Sequence, residues 1–177
     1  MAPEYPTVLD LVGNTPLVRL HIDDAPAEIY LKLENLQPTN AYKIRGASNA
    51  VARLSDEERA RGVWTISAGN AGQGVAYAAR KFGIPCSVVA IETAPQTKLD
   101  RMRALGATIV PVSYDDAWKA AETHAFEGLD GTFIHPFDNH DFIAGHGTMG
   151  IEILEDLNMT QRRFDHCLRR RRAIFLE

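Results

Sequence analysis

Cysteines and long hydrophobic runs are both scarce in this 177-residue chain. Its two cysteines, Cys86 and Cys167, are too few for a disulfide framework or for a four-ligand zinc site. No run approaches the roughly 18 apolar residues that a membrane-spanning helix needs. The segment from Met1 to Leu11 lacks the basic and apolar regions of a secretory signal. These absences predict a cytoplasmic protein that binds no membrane.

Positive charge is also scarce, except near the C-terminus. The chain has 19 lysines and arginines against 23 aspartates and glutamates, for a net charge of -4. Residues 161–177 hold six of the arginines, and all 13 glycines lie at or before Gly150. An acidic body argues against nucleic-acid binding. The change in composition favours a tail (161–177) outside the fold over a patch for RNA or an anionic membrane.

Short apolar segments alternate with amphipathic segments along most of the chain. Strands are expected at 29–33, 63–67, 86–91, 108–112 and 132–135. Helices are expected from about residue 40 to 54, from Ser55 to Gly62, over 74–82, 96–105 and 115–126, and from Asp141 or Thr148 to Leu157. Strands and helices that alternate at this spacing predict right-handed crossovers and a parallel sheet. The predicted fold class is therefore α/β, with helices on both faces of the sheet.

Two segments carry residue types suited to chemistry. Lys43 lies near the start of a helix, where a lysine is usually a solvated charge. To act as a nucleophile it must lose about 3 units of pKa, or ~4 kcal/mol, from a solution value near 10.4. The second segment, 67–74, holds three glycines between a strand and a helix, where exposed amides bind carboxylate or phosphate. A tight turn explains one of these glycines better than all three, so the pattern favours a ligand-binding loop.

The order of these motifs resembles the fold-type II pyridoxal-phosphate enzymes, and in particular the threonine and serine dehydratases. The similar segments are 14–17, 43–47, 67–74 and 135–148. The resemblance implies that Lys43 forms a Schiff base with pyridoxal phosphate and that Asn70 hydrogen-bonds the 3-hydroxyl of that cofactor. It also implies a set of residues that bind the carboxylate of the substrate, namely Ser67, Ala68, Gly69, Asn70 and Ala71.

The implied reaction is the β-elimination of water from threonine or serine, which yields a 2-oxo acid and ammonia. An amino acid is then the small-molecule partner, and the complete enzyme is expected to be a homodimer. Ala68 occupies the position where racemases carry a serine that reprotonates the opposite face of the substrate. Because alanine has no proton to give, a dehydratase is favoured over a racemase.

The resemblance further implies a division into lobes. Residues 1–50 would belong to the larger cofactor lobe, 51–144 to a small lobe, and 145–160 to a helix that returns to the larger lobe. Family members continue past this length to a glycine-rich loop that binds the cofactor phosphate. We therefore expect a C-terminally truncated chain with little or no activity by itself.

Three glycines near the start of the last predicted helix match a dinucleotide fingerprint. Gly145, Gly147 and Gly150 spell G-x-G-x-x-G. That fingerprint belongs to the first strand–helix turn, with an acidic residue about 20 positions later, where this chain has Arg170. Close packing of the helix start against a neighbour is the preferred interpretation, and a nicotinamide-binding domain stays a distant alternative.

Isolated histidines offer no clear metal site. His135, His140 and His146 are irregularly spaced, and no pair of carboxylates completes a ligand geometry, so no metal is predicted. The remaining alternative to an enzyme is a non-catalytic remnant of the same fold that acts as an interaction module.

Overall fold

The chain folds around two sheets in the computed structural model, which describes residues 12–158. An antiparallel hairpin comes first and joins β1 (Leu17–Leu20) to β2 (Ile29–Lys32). Four parallel strands follow, namely β3 (Val63–Ile66), β4 (Cys86–Ile91), β5 (Thr108–Val112) and β6 (Thr132–Phe133). Their order across the sheet is β5-β4-β3-β6. The predicted parallel sheet is confirmed for the last four expected strands, whereas the strand expected at 29–33 pairs antiparallel with β1 instead.

Six helices lie between and after the strands. They are α1 (Lys43–Ala52), α2 (Asp56–Arg61), α3 (Asn70–Phe82), α4 (Gln96–Ala104), α5 (Tyr114–Thr123) and α6 (His140–Asp156). Because alternate residues of a strand point to opposite faces, β4 contributes to two cores. Val88 and Ala90 join a cluster with residues of α1, α3 and α4, whereas Val89 joins a cluster with α5. The α/β class with helices on both faces is therefore confirmed.

Helix α1 lies between α3 and α6. Ile44, Ala47 and Val51 recur at helical spacing on one face and are fully buried. On the side of α6, a Cβ atom added to Gly46 would lie 2.5 Å from the carbonyl oxygen of Phe142. The absence of a side chain at Gly46 therefore lets the two helices touch through their backbones, which sets the position of Lys43 at the start of α1.

Local capping signals explain several helix ends. The capping box of α2 forms as predicted, with the Ser55 hydroxyl accepting from the Glu58 amide and the Glu58 carboxylate accepting from the Ser55 amide. Gly62 follows with φ +83°, a conformation that favours glycine. Helix α6 begins at His140, because the Asn139 side chain accepts a hydrogen bond from the Phe142 amide at 2.8 Å. The predicted start at Asp141 agrees with this to within one residue, whereas the alternative start at Thr148 is wrong.

Three other predicted boundaries differ from the structure. Helix α3 begins at Asn70, four residues before the predicted start. Helix α5 ends at Thr123 because His124 adopts a left-handed conformation with φ +53°. Strand β6 has only two residues, and Pro136, which has no N–H to donate, follows soon after. The first of these differences bears on the functional site.

The predicted lobe boundaries remain predictions, since residues on both sides of position 50 share one core through α1 and α3. The arginine-rich tail and Cys167 lie outside the described residues.

Cys86 is buried in β4, and burial raises the pKa of its thiol to about 12, as expected for a small core residue. Within residues 12–158, none of the helices has the length and apolar character needed to cross a bilayer.

Candidate active site

The amine of Lys43 lies in a partly enclosed aromatic environment. Its Nζ donates to the carbonyl oxygen of Pro136 at 3.4 Å. The same atom lies 5.2 Å from the ring centroid of Tyr42, 5.1 Å from that of Phe137 and 5.8 Å from that of Phe142. Such distances are typical of an amine held over aromatic faces. Lys43 is half-buried, so it is not the solvated surface charge that its position in the sequence would usually indicate.

His146 packs against two of these rings. Its imidazole packs against Tyr42 at 4.8 Å and against Phe142 at 5.0 Å, measured between ring centroids. Burial, together with the charges of Lys43 and Arg45, lowers the pKa of His146 to about 4, so its ring is neutral near pH 7. Its Nε2 is buried and has no hydrogen-bond partner within residues 12–158. The described residues contain no cluster of three metal-binding side chains.

The second predicted segment forms the turn from β3 into α3. The Ser67 amide donates to the carbonyl oxygen of Val89 at 3.0 Å, and the Ser67 hydroxyl accepts from the Gly69 amide at 3.0 Å. Helix α3 then begins at Asn70, and the first carbonyl to close a helical turn is that of Gly69. In the described part of the chain, three successive amides at this helix start have no acceptor, those of Asn70, Ala71 and Gly72. Free amides at the positive end of a helix form a site for an anion.

Packing, rather than loop flexibility, accounts for two of the three glycines in this segment. A Cβ atom on Gly72 would lie 2.6 Å from the sulfur of Met102. A Cβ atom on Gly74 would lie 3.3 Å from the backbone nitrogen of Ile44. Only Gly69 stands at the loop itself. The three glycines therefore do not by themselves indicate a ligand-binding loop, whereas the free amides do.

The two segments meet at one edge of the parallel sheet. Residues 67–69 follow the carboxyl end of β3, and Pro136 follows the carboxyl end of β6, the strand beside it. Since Lys43 contacts Pro136 and its neighbour Ile44 packs against Gly74, the first turns of α1 and α3 are adjacent. In open α/β sheets, ligands bind beyond the carboxyl ends of the strands. The structure thus brings Lys43 and the amides of α3 to the edge where a ligand is expected.

A buried charge network, which the sequence did not reveal, holds α1 in place. Arg45 is 3% exposed and donates to the Glu34 carboxylate from Nε and Nη2, both at 2.8 Å. It also donates to the Glu152 carboxylate from Nη1 at 2.6 Å and from Nη2 at 2.8 Å. Lys32 forms a further ion pair with Glu152 at 2.9 Å. The network joins β2, the turn that contains Glu34, α1 and α6, elements far apart in the sequence.

Acidic pH should weaken this network. Burial raises the pKa of Glu152, but hydrogen bonds from Arg45 and Lys32 outweigh burial and hold that pKa at about 2. A carboxyl whose pKa is lower in the folded state stabilises the fold above its unfolded pKa, near 4.5. We expect the urea midpoint to fall as the pH decreases from 4.5 towards 2, and to fall less steeply for Glu152→Gln. An equal pH dependence in both proteins, measured by circular dichroism, would contradict this assignment.

The parallel sheet, the half-buried amine of Lys43 and the free amides at the start of α3 together indicate a ligand-binding α/β protein. Comparison with known families places the protein within that class. The matching family is described as pyridoxal-phosphate dependent enzyme, and the match spans residues 8–168. The chain belongs to this family, and the predicted resemblance is confirmed.

The names of individual relatives are consistent with this family assignment. The chain is 51% identical over 132 residues to L-threonine ammonia-lyase of Thermotoga maritima, a match covering 73% of this chain and 33% of that protein. Threonine deaminase isoform 2 of Solanum lycopersicum superposes with a TM-score of 0.65 at 40% identity, over 72% of this chain and 37% of that one. Serine racemase of Dictyostelium discoideum superposes with a TM-score of 0.71 at 38% identity, over 80% and 47% of the two chains. The chain therefore spans less than half the length of each of these relatives.

Proposed function

We propose that this chain supplies the cofactor-binding lysine and the substrate-carboxylate loop of a pyridoxal-phosphate-dependent enzyme that eliminates water from threonine or serine. The observation that carries the proposal is the position of the Lys43 amine. It lies at the carboxyl edge of the sheet, among three aromatic rings and beside the helix whose first amides are free. Relatives named threonine ammonia-lyase and threonine deaminase support this choice of reaction.

The residues present fit the cofactor. A half-buried amine is suited to an aldehyde, and aromatic rings around it suit a planar ring and limit the access of water. Lys43 would hold the aldehyde carbon, and the Asn70 side chain would hold the ring hydroxyl. When bound, pyridoxal phosphate supplies an electron sink for chemistry at the substrate Cα.

The residues of the chain would control binding and proton transfer. The free amides of α3 would hold the carboxylate of the substrate. The loop that presents them consists of Ser67, Ala68, Gly69, Asn70 and Ala71. Holding the carboxylate would orient the substrate Cα towards Lys43. The Lys43 amine would take the Cα proton of the substrate as a general base. Because His146 is neutral near pH 7, it adds no positive charge beside that amine. The methyl group of Ala68 offers no proton to the opposite face, so we propose elimination without racemisation.

A direct test is to incubate the chain with pyridoxal phosphate, reduce it with borohydride and map the modified peptides. The expected result is a pyridoxyl group on the peptide that contains Lys43. Lys81, an exposed lysine at the far end of α3, provides the internal control. Equal modification of Lys43 and Lys81 would contradict the proposal and would favour a non-catalytic interaction module. In a parallel sample, saturable binding of NAD would instead favour the nicotinamide-binding alternative.

Several wider properties belong to the same proposal. They are a homodimeric state of the complete enzyme and a cytoplasmic location; the free thiol of Cys86 fits the reducing conditions of that compartment. We also propose little turnover by this chain alone, since the similar enzymes are more than twice the length that it spans. Measurement of 2-oxo acid formed from threonine by the purified chain tests this point, and rapid turnover would overturn it.

A further inference from the structure

The turn that follows β6 carries two of the groups that contact the Lys43 amine. The carbonyl oxygen of Pro136 accepts from the Lys43 Nζ at 3.4 Å, and the ring centroid of Phe137 lies 5.1 Å from the same atom. Pro136 is buried, whereas Phe137 is 72% exposed. Core packing therefore does not hold the Phe137 ring in place, and the conformation of the turn sets where this ring meets the amine.

The imidazole of His135 closes this turn. Its Nδ1 accepts from the amide of Phe137 at 3.1 Å and from the amide of Asp138 at 2.8 Å. Within residues 12–158, no backbone carbonyl accepts from either amide. A histidine nitrogen that accepts a hydrogen bond carries no proton, so the proton of the neutral ring lies on Nε2. The turn thus requires the neutral imidazole.

The surroundings of His135 favour this neutral form. The ring packs against Phe133 of β6 at 5.4 Å and against His124 at 5.3 Å, measured between ring centroids. The titratable groups that face it are His124, at the end of α5, and Asp138, in the turn itself, while Lys43 reaches the turn from α1. Burial and the charge of His124 lower the pKa of His135 below 6.5, although the Asp138 carboxylate opposes them.

We propose that His135 is a positioning residue for the Lys43 amine. Its neutral imidazole holds the turn that brings the Pro136 carbonyl and the Phe137 ring to this amine, whose chemical role rests on the proposed function. Protonation places a hydrogen on Nδ1, which then faces two amide hydrogens, so both hydrogen bonds are lost. The turn should therefore open, and the amine lose its restraint, as the pH decreases through the pKa of His135.

Two substitutions separate the acceptor of His135 from its ring. His135→Asn keeps an acceptor, because an asparagine side chain bonds backbone amides that follow it closely, and this side chain does not titrate. His135→Phe keeps an aromatic ring beside Phe133 but removes the acceptor. Hydrogen exchange of the Phe137 and Asp138 amides is followed by NMR at pH 7, without cofactor. We expect similar exchange in the wild type and His135→Asn, and about tenfold faster exchange in His135→Phe.

A pH titration separates His135 from its neighbour His124. In the wild type, the amide signals of Phe137 and Asp138 should titrate with a midpoint below 6.5, and in His135→Asn this titration should be absent. His124→Asn is the matched control, because asparagine tolerates the left-handed conformation of residue 124. It should keep the titration and raise its midpoint, since one positive neighbour is removed. A titration lost in His124→Asn but kept in His135→Asn would overturn the proposal.

The effect on Lys43 is measured first without cofactor, by acetylation with acetic anhydride and mass spectrometry at pH 7. The exposed Lys81 is the internal reference. In His135→Phe the ratio of Lys43 to Lys81 acetylation should rise about threefold or more, because the half-buried amine becomes accessible when its hydrogen bond is lost. In His135→Asn the ratio should match the wild type. A ring that served only packing would be replaced by phenylalanine and not by asparagine, so the reverse order would overturn the proposal.

Borohydride reduction with pyridoxal phosphate then separates this proposal from the proposed function. Modification of Lys43 should fall about tenfold in His135→Phe and recover in His135→Asn, because a displaced amine reacts more slowly. If acetylation depends on His135 as expected but pyridoxal phosphate modifies no Lys43 even in the wild type, the positioning role is supported and the proposed function is overturned. An unchanged acetylation ratio in His135→Phe would overturn the role of His135 alone. Should His135→Phe not fold, the titrations of the wild type and His135→Asn decide.

Discussion

The variant Arg45→Met is expected to lower the free energy of unfolding by about 3–5 kcal/mol, the usual cost of breaking a buried ion pair. Arg45 is almost fully buried and donates four hydrogen bonds to two carboxylates, those of Glu34 and Glu152. Removing the guanidinium leaves both carboxylates close together in a poorly solvated site without their main donor. Urea denaturation followed by circular dichroism at pH 7 measures the loss.

Arg53→Met is the matched control for Arg45→Met. Arg53 directly follows α1, and its ion pair with Asp141 has a length of 2.6 Å, but its side chain is 65% exposed. Exposed ion pairs contribute about 0–1 kcal/mol, so this variant should stay within that range of the wild type. A further variant that combines Arg45→Met with Glu34→Gln and Glu152→Met should recover part of the stability, because no unpaired charge remains buried. If Arg45→Met lowers the free energy of unfolding by no more than Arg53→Met does, the charge network contributes little to stability.

The variant Gly145→Ala is expected to destabilise the protein by about 1–3 kcal/mol, although alanine is normally the better helix residue. A Cβ atom at this position would collide with the carbonyl oxygen of Arg45 and lie 2.7 Å from the Cα atom of Gly46. Both obstacles are backbone atoms of α1, which cannot rotate away as a side chain can. Helices α1 and α6 would have to separate, and Lys43 would move with α1. We therefore also expect weaker borohydride-dependent modification of Lys43.

Gly147→Ala is the control in the same helix. A Cβ atom at Gly147 meets nothing within 4 Å, so alanine should stabilise α6 by up to about 1 kcal/mol through its higher helix propensity. The two substitutions are thus chemically identical but opposite in expected sign. A dinucleotide fingerprint would instead require both glycines for ligand binding. Loss of stability in both variants, seen as lower urea midpoints, would contradict the packing explanation for Gly145.

The position of α1 connects these stability effects to the proposed chemistry. Arg45 and Gly46 lie in the same first turn of α1 as Lys43, so the charge network and the helix crossing both restrain the same short segment. The Lys43 amine needs a fixed place relative to the amides of α3, because misplacement by about 1 Å can cost a large factor in rate. We interpret the buried charges as a means of orientation rather than as a source of net stability.

Features that depend on neighbouring residues were predictable from the sequence. The Ser55 capping box, the glycine turn at Gly62 and the strand Cys86–Ile91 all occur where their patterns place them. The start of α3 was placed four residues too late, because glycines ordinarily oppose a helix. Tertiary packing reverses that preference, since Gly72 must fit against Met102 and Gly74 against Ile44.

The sequence by itself determined the α/β class and the alternation of strands and helices, which follow from periodicity. Lys43 and the loop 67–74 were indicated by motifs that resemble those of a known family. Only the tertiary structure decided the strand order β5-β4-β3-β6, the contact of Lys43 with Pro136 and the Arg45 network. Each of these joins residues distant in sequence, and their pairing depends on how helices and strands pack in three dimensions, which a local pattern does not encode.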